Sequence, residues 1–232
     1  MKKTMWGISM LALIFTAVML QFMPDSVPMH YNMAGEIDRW GSKYENLLFP
    51  IVILALSLFW HLFILHYEKK AIKSTTEKES AEARSNAKVI KIVGVSMAAM
   101  FTVMQGVMLF GAYKEATAGA AHSAIDISKV SCILCGILFI VLGNFMPKTK
   151  KNHTAGVRIS WSMYNDTTWM KSNRFGAVAM IAAGLLTIAT SVFTKAGVAL
   201  AMTIAYLLIA TIITLIYSHK IYKQELSKED RL

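Results

Sequence analysis

The chain has 232 residues, of which 55% are apolar and only 16% charged, and it carries a formal net charge of +10. A soluble domain carries about a quarter charged residues; here the apolar residues fall in long unbroken blocks, which excludes a soluble globular domain. Two cysteines exclude a disulfide framework.

Apolar runs long enough to cross a bilayer predict six spans, at 4–22, 47–66, 92–112, 130–145, 175–193 and 198–217. The expected fold is an all-α integral membrane protein with six transmembrane helices and both termini cytoplasmic. Met1-Lys2-Lys3 before the first run resembles a secretory signal. Gln21-Phe22-Met23-Pro24 offers no small-x-small cleavage site, so an uncleaved signal anchor is expected. With the termini inside, 19 of the 24 Lys and Arg lie in cytoplasmic segments. Outside remain Arg39, Lys43, Lys114, Lys129 and Lys195, and that asymmetry sets the orientation. It also accounts for the charge through membrane lipids, since basic residues are drawn to anionic head groups; no direct contact with nucleic acid is expected.

The first long loop, 23–43, reads MPDSVPMHYNMAGEIDRWGSK. Pro24 and Pro28 end the first helix and hold the chain extended. Gly35 and Gly41 are expected to supply turns. Between them stand His30, Asn32, Glu36, Asp38 and Arg39, with Trp40 suited to the membrane surface. Hydrogen-bonding groups this dense predict an ordered cap over the outer mouth of the bundle, able to bind something arriving from outside. His30, Glu36 and Asp38 could instead ligate a metal or serve as an acid–base set for hydrolysis. Their spacing matches no zinc signature, so the cap is favoured, and neither metal nor cofactor is expected.

His61, beside Trp60 in the second span, reads as a helix-packing or interfacial histidine, with proton sensing as the alternative. The segment 68–91 mixes charge signs and lacks aromatics, as a solvated helical hairpin extending the second and third helices would. No span has an Asp, Glu, Lys or Arg near its middle; Gln105 is the polar exception in the third. That absence counts against coupled transport. Small residues four apart, Gly94/Ala98 and Ala179/Ala183, let helix backbones approach in lipid. Cys132 and Cys135 share a helix face without other ligands nearby, which reads as small apolar packing.

The fourth span opens into GNFMPKTKKNHTAGVRISW, 143–161. Asn144 can satisfy carbonyls freed at the helix end, and Pro147 stops the helix. Lys148, Lys150 and Lys151 face anionic lipid. Gly156 permits a turn that returns Arg158 toward the inner mouth. Asp166 is the expected N-cap of a short helix, 167–173, leading into the fifth span. Trp161 and Trp169 are expected to anchor the segment at the interface. These residues either only shape an ordered surface loop, or Asn144, Asn152, Arg158 and Arg174 form a polar site for a partner.

Two strings resemble a known family. Pro24-Asp25-x-Val27-Pro28-x-His30-Tyr31-Asn32-x-x-Gly35-x-x-Asp38-x-Trp40-Gly41-Ser42-Lys43 is similar to the signature of an uncharacterised membrane domain that commonly begins SdpI-type immunity proteins. Gly143-Asn144-x-Met146-Pro147-Lys148, then Asn152, Gly156-Val157-Arg158, Trp161, Trp169 and Arg174, follow the C-terminal half of that family. The chain departs from it at Ile159-Ser160-Trp161-Ser162, where the family has Thr-Pro-Trp-Thr, and at Asn173, where it has His. The first change frees the turn before Trp161; the second removes a possible titrating group.

The resemblance implies a membrane domain over 1–115 with an ordered extracytoplasmic loop at 23–46, then a second over 116–232 with a cytoplasmic loop at 146–174. It implies a non-enzymatic immunity protein against a secreted peptide toxin. A receptor role, holding a cytoplasmic transcriptional repressor at the membrane, is part of what it implies. The outer site would be Pro24, Pro28, His30, Asn32, Gly35, Glu36, Asp38 and Trp40. The inner one would be Asn144, Pro147, Lys148, Asn152, Gly156, Arg158, Trp161, Trp169 and Arg174. A small-solute or lipid transporter or flippase is the alternative, and a membrane hydrolase the third reading.

Overall fold

Inside hydrocarbon a backbone must satisfy its own hydrogen bonds, so apolar runs of this length have no choice but to coil. The computed structural model, which describes residues 1–32, 34–152 and 155–229, has six such helices. They are α1 (Lys2–Phe22), α2 (Leu48–Lys73), α3 (Glu77–Ala118), α4 (Ile127–Phe145), α5 (Asp166–Phe193) and α6 (Ala196–Glu229). Each is long and apolar enough to cross a membrane. Rows of exposed Leu11, Ile14, Phe15 and Val18 on α1, and of Ile209, Ile212 and Ile216 on α6, form the lipid-facing surface. Helices α1, α2 and α3 pack together, as do α4, α5 and α6, and α3 joins the two groups through α4.

Several helices overrun their apolar cores at the basic end. The 42 residues of α3 correspond to about 63 Å of helix against a hydrocarbon core of about 30 Å. Helices α2 and α3 are linked across 74–76, and the Thr76 hydroxyl caps α3 by accepting from Glu79 N at 3.3 Å. This is the helical hairpin that the charged segment predicts. The expected short helix 167–173 is not separate: α5 runs unbroken from Asp166. Its N-cap is Asn165, not Asp166. Asn165 Oδ1 accepts from Thr168 N at 2.8 Å and Thr168 Oγ1 accepts from Asn165 N at 3.0 Å. Asp166 falls in the first turn, where its charge suits the helix dipole.

At the opposite end the chain leaves the helical pattern. Strands β1 (Ser26–Tyr31) and β2 (Ile37–Ser42) pair antiparallel, and a 3-10 turn, Lys43–Leu47, leads into α2. Gly35 makes the hairpin turn with φ of 80°, a conformation open to glycine. Gly41 does not turn: it lies within β2, where a Cβ would collide with Glu45 Oε1 and come 2.8 Å from Met29 Cγ. The hairpin is seated by Val27, fully buried among Leu20, Met23, Leu109 and Ala112.

Within the bundle, contact is closest where side chains vanish. A Cβ built on Gly184 of α5 would lie 2.6 Å from Gly136 O of α4, and one on Gly143 would lie 2.9 Å from Ala177 O. These backbones touch directly, along a seam spaced by seven residues and not four. Gly94 of α3 meets α1 and α2 together; a Cβ there would be 3.0 Å from both Met5 Sδ and Trp60 Cβ. Buried polar groups add direction. Ser9 and Ser57 hydroxyls lie 2.6 Å apart, and Gln105 Nε2 donates to Thr16 Oγ1 and to Asn46 O, each at 3.2 Å. His61 Nδ1 accepts from Trp6 Nε1 at 3.2 Å, a helix-packing role. Cys132 is buried, Cys135 partly so, and both are free thiols.

Gly184→Leu is expected to destabilise the purified protein by about 1–3 kcal/mol through overpacking. Gly7→Leu, at a position with open space around it, should leave the thermal midpoint unchanged. Equal midpoints for the two variants would mean that the α4–α5 seam is not tight.

Candidate functional site

The hairpin end is organised by a carboxylate. Glu115 sits in the last turn of α3, three residues beyond buried Ala112, and is 1% exposed. Its Oε2 accepts from the Tyr31 hydroxyl at 2.5 Å, and its Oε1 accepts from Ala124 N at 2.6 Å. A carboxyl group buried this far is tolerated only when its oxygens have hydrogen-bond partners. Glu115 thereby ties three segments together: α3, the end of β1, and the approach to α4. Burial, and after it the Glu115 carboxylate, push the Tyr31 phenol well above its ordinary range. A second set of bonds closes the same joint. Ile37 N donates to Ala121 O at 3.0 Å and Ser123 N to Gly35 O at 2.7 Å.

The loop residues singled out from the sequence take distinct places. Asn32 shapes the turn: its Oδ1 accepts from Ala34 N and Glu36 N at 2.9 and 3.0 Å, and its Nδ2 donates to Glu36 Oε2 at 2.6 Å. His30 Nδ1 and Asp38 Oδ1 lie 2.6 Å apart across the exposed face. Glu36 is therefore engaged with Asn32 and not with the His30–Asp38 pair, and the three do not converge as metal ligands or an acid–base set. Trp40 is 43% exposed. Arg39 bonds Glu45 at 2.5 Å, and Lys43 reaches Met23 O at 3.1 Å. Beneath the hairpin lies a cleft of about 490 Å³. Pro28, His30, Asn32 and Gly35 line one side; His122, Asp126 and Ala196 bring in the starts of α4 and α6. Pro24, Glu36, Asp38 and Trp40 are outside it.

At the basic end the loop after α4 is folded on amides. The α4 helix ends at a 3-10 turn, Met146–Lys148, containing Pro147, and the Lys148 ammonium stands 4.2 Å over the Phe145 ring. Asn152 is buried. Its Nδ2 donates to Lys150 O at 2.6 Å and Ala155 O at 3.1 Å, and its Oδ1 accepts from Ala155 N at 2.8 Å. Asn86 of α3 joins it, accepting from Lys150 N at 3.0 Å. Asn173 is 1% exposed; its Oδ1 accepts from Val157 N at 2.9 Å and its Nδ2 donates to Trp169 O at 2.9 Å. Gly156, with φ of 107°, passes so close that a Cβ would strike Asn173 Oδ1.

Trp169 differs from expectation. It is 3% exposed and donates Nε1 to Thr149 O at 3.0 Å, so it is a packed strut and not an interfacial anchor. Trp161 is half-buried, with its ring 4.5 Å from that of His219 on α6. Asn144, Arg158 and Arg174 are exposed, and only Asn152 of that expected polar quartet is buried. Arg158 borders an apolar cavity of about 240 Å³ that Met180 and Leu207 also line. Sequence reasoning missed Glu115 and Asn86. Glu115 lies three residues beyond buried Ala112, on the face that Leu109 and Gln105 continue, so the helical period alone would have placed it inward.

Residues 148–218 match the SdpI/YfhL protein family, and residues 7–54 match a domain of unknown function (DUF1648). The chain is 23% identical over 228 residues to Immunity protein SdpI of Bacillus subtilis (strain 168), covering 97% of this chain and 98% of that relative. No solved structure matches. These similarities bear out the resemblance carried by the two sequence strings. Together with the six membrane-length helices they describe a multi-pass bacterial membrane protein.

Tyr31→Phe and Glu115→Gln are each expected to cost about 1–3 kcal/mol by unpairing a buried polar group. In a double-mutant cycle read by thermal unfolding the two costs should be clearly less than additive; strict additivity would deny the tie. Asn173→Leu, which frees Val157 N, should speed amide exchange at Val157 while leaving the Asn32 and Ile37 amides protected.

Proposed function

We propose that this chain is a membrane immunity protein that protects its cell against a secreted antimicrobial peptide. The observation that carries this reading is the similarity to Immunity protein SdpI, which extends over 97% of this chain and 98% of that relative. The reading is non-enzymatic.

The toxin contact is assigned to the hairpin and its cleft, Pro24, Pro28, His30, Asn32, Gly35, Glu36, Asp38 and Trp40. Supporting this are the charge asymmetry, which favours an outside hairpin, and a cap whose exposed His30–Asp38 pair stands on a strand seated by buried Val27. A partner on the opposite face, of which a transcriptional repressor is the class that the family implies, is assigned to 144–174. Exposed Asn144, Lys148, Arg158 and Arg174 present that surface, while Pro147, Asn152, Gly156, Trp161 and Trp169 hold its shape. Helix α3 is the element common to both ends, through Glu115 and Asn86.

Expression in a bacterium sensitive to the cognate peptide should raise the lethal dose, and an unchanged lethal dose would sink the immunity reading. His30→Ala with Asp38→Ala, exposed and remote from the core, should lower the protection while leaving membrane levels intact. Full protection by that variant would move the toxin contact elsewhere.

A further inference from the structure

Apart from both sites, the basic end contains a groove of about 900 Å³ between the start of α1, the end of α2 and the start of α3. Its walls gather Lys2, Lys3, Arg84, Lys88 and Lys91 around a single carboxylate, Glu68. That carboxylate is fully used: Oε2 pairs with Lys2 Nζ and Oε1 with Lys91 Nζ, both at 2.6 Å. Lys3, Arg84 and Lys88 are exposed and form no ion pair among the described residues. Other basic side chains at this end do find acids, as Lys171 and Lys228 do at Glu225 and Lys78 does at Asp166. The groove thus sets five cations against one acid, three of them without an ion pair, and their mutual repulsion is relieved by an anion between them.

Ala71, Ile72 and Ala87 supply the apolar part of the groove's lining. Ile72 is 84% exposed, a large apolar side chain with no protein cover. Lys2 and Lys3 directly precede the apolar run of α1, which puts the groove at the boundary between water and hydrocarbon. A ligand that fits must offer anionic oxygens to the cations and hydrocarbon to Ile72. We propose that the groove is a binding site for an anionic phospholipid of the leaflet on the basic side. Arg84, Lys88 and Lys3 donate to its phosphodiester, and an acyl chain lies over Ile72. The planar Arg84 guanidinium suits a phosphate through paired N–H donors. Glu68 is a positioning residue, holding Lys2 and Lys91 apart as the rim.

The test uses the purified full chain in mild detergent, with native mass spectrometry titrations of phosphatidylglycerol and phosphatidylcholine. The wild type should retain phosphatidylglycerol preferentially. Lys3→Gln with Arg84→Gln and Lys88→Gln should weaken that retention about tenfold or more, given the charge contribution of each side chain near a membrane surface. A control that removes as many charges elsewhere on the same face, Lys151→Gln with Lys220→Gln and Lys223→Gln, should not. Arg84→Glu alone, on a side chain that fills no core space, should reproduce most of the loss. Equal retention of the two lipids, or equal losses in the triple variant and the control, would overturn the site. Displacement of the lipid by millimolar inorganic phosphate would overturn its assignment to a phospholipid, since the acyl chain would then contribute nothing.

Discussion

Between helices in hydrocarbon there is no water to expel, so apolar faces alone cannot choose a neighbour; close packing and buried polar pairs must do so. Here the choice falls to small residues within each half of the bundle. Gly136 and Gly143 let α4 lie backbone to backbone on α5, and Gly94 lets α3 receive Met5 and Trp60 at once. Ser9 with Ser57, and Gln105 with Thr16, then give α1, α2 and α3 one register. Large apolar side chains are left for the lipid. Bundles built this way tolerate changes on the outer face and resist any added carbon on the inner one.

The two ends are finished with different chemistry. At the hairpin end, a buried carboxylate demands donors and obtains them from two separate segments, so the hairpin and the approach to α4 are placed relative to α3 with little freedom. At the basic end the loop closes on neutral amides: Asn152 and Asn173 each serve a backbone donor and a backbone acceptor, and Asn86 accepts from Lys150 N. A neutral amide costs less to bury than an ion. The fold at the basic end therefore buries Asn173 without leaving a charge stranded.

Span number, the ordered outer loop and the charged helical hairpin were legible because each follows from composition over a window of many residues. Single positions were harder. Glu115 looked like part of a polar loop, because the span expected from the sequence ends at Ala112 although the helix continues to Ala118. Trp169 looked interfacial because tryptophan usually is at a helix start near a membrane; its meeting with Thr149 and Gly156 is a long-range event invisible in the local sequence. The α4–α5 seam escaped a search at spacing four because Gly136/Gly143 and Ala177/Gly184 recur at seven. The strand pairing of 26–31 with 37–42 was hidden by Pro28, which in isolation argues only for an extended chain. In the outer loop the sequence showed which polar groups were present, but not that Asn32 would take Glu36 away from His30 and Asp38.

Helix α3 also has the proportions of an unequal-armed beam. Its tight point against α1 and α2 is Gly94. From there Glu115 lies about 32 Å away and Asn86 about 12 Å, at 1.5 Å of rise per residue. Tilting about that point shrinks any outer displacement by more than half before it reaches Asn86, whereas turning or sliding along the axis passes it on undiminished. The position of one glycine thus makes the beam a poor lever and a good shaft.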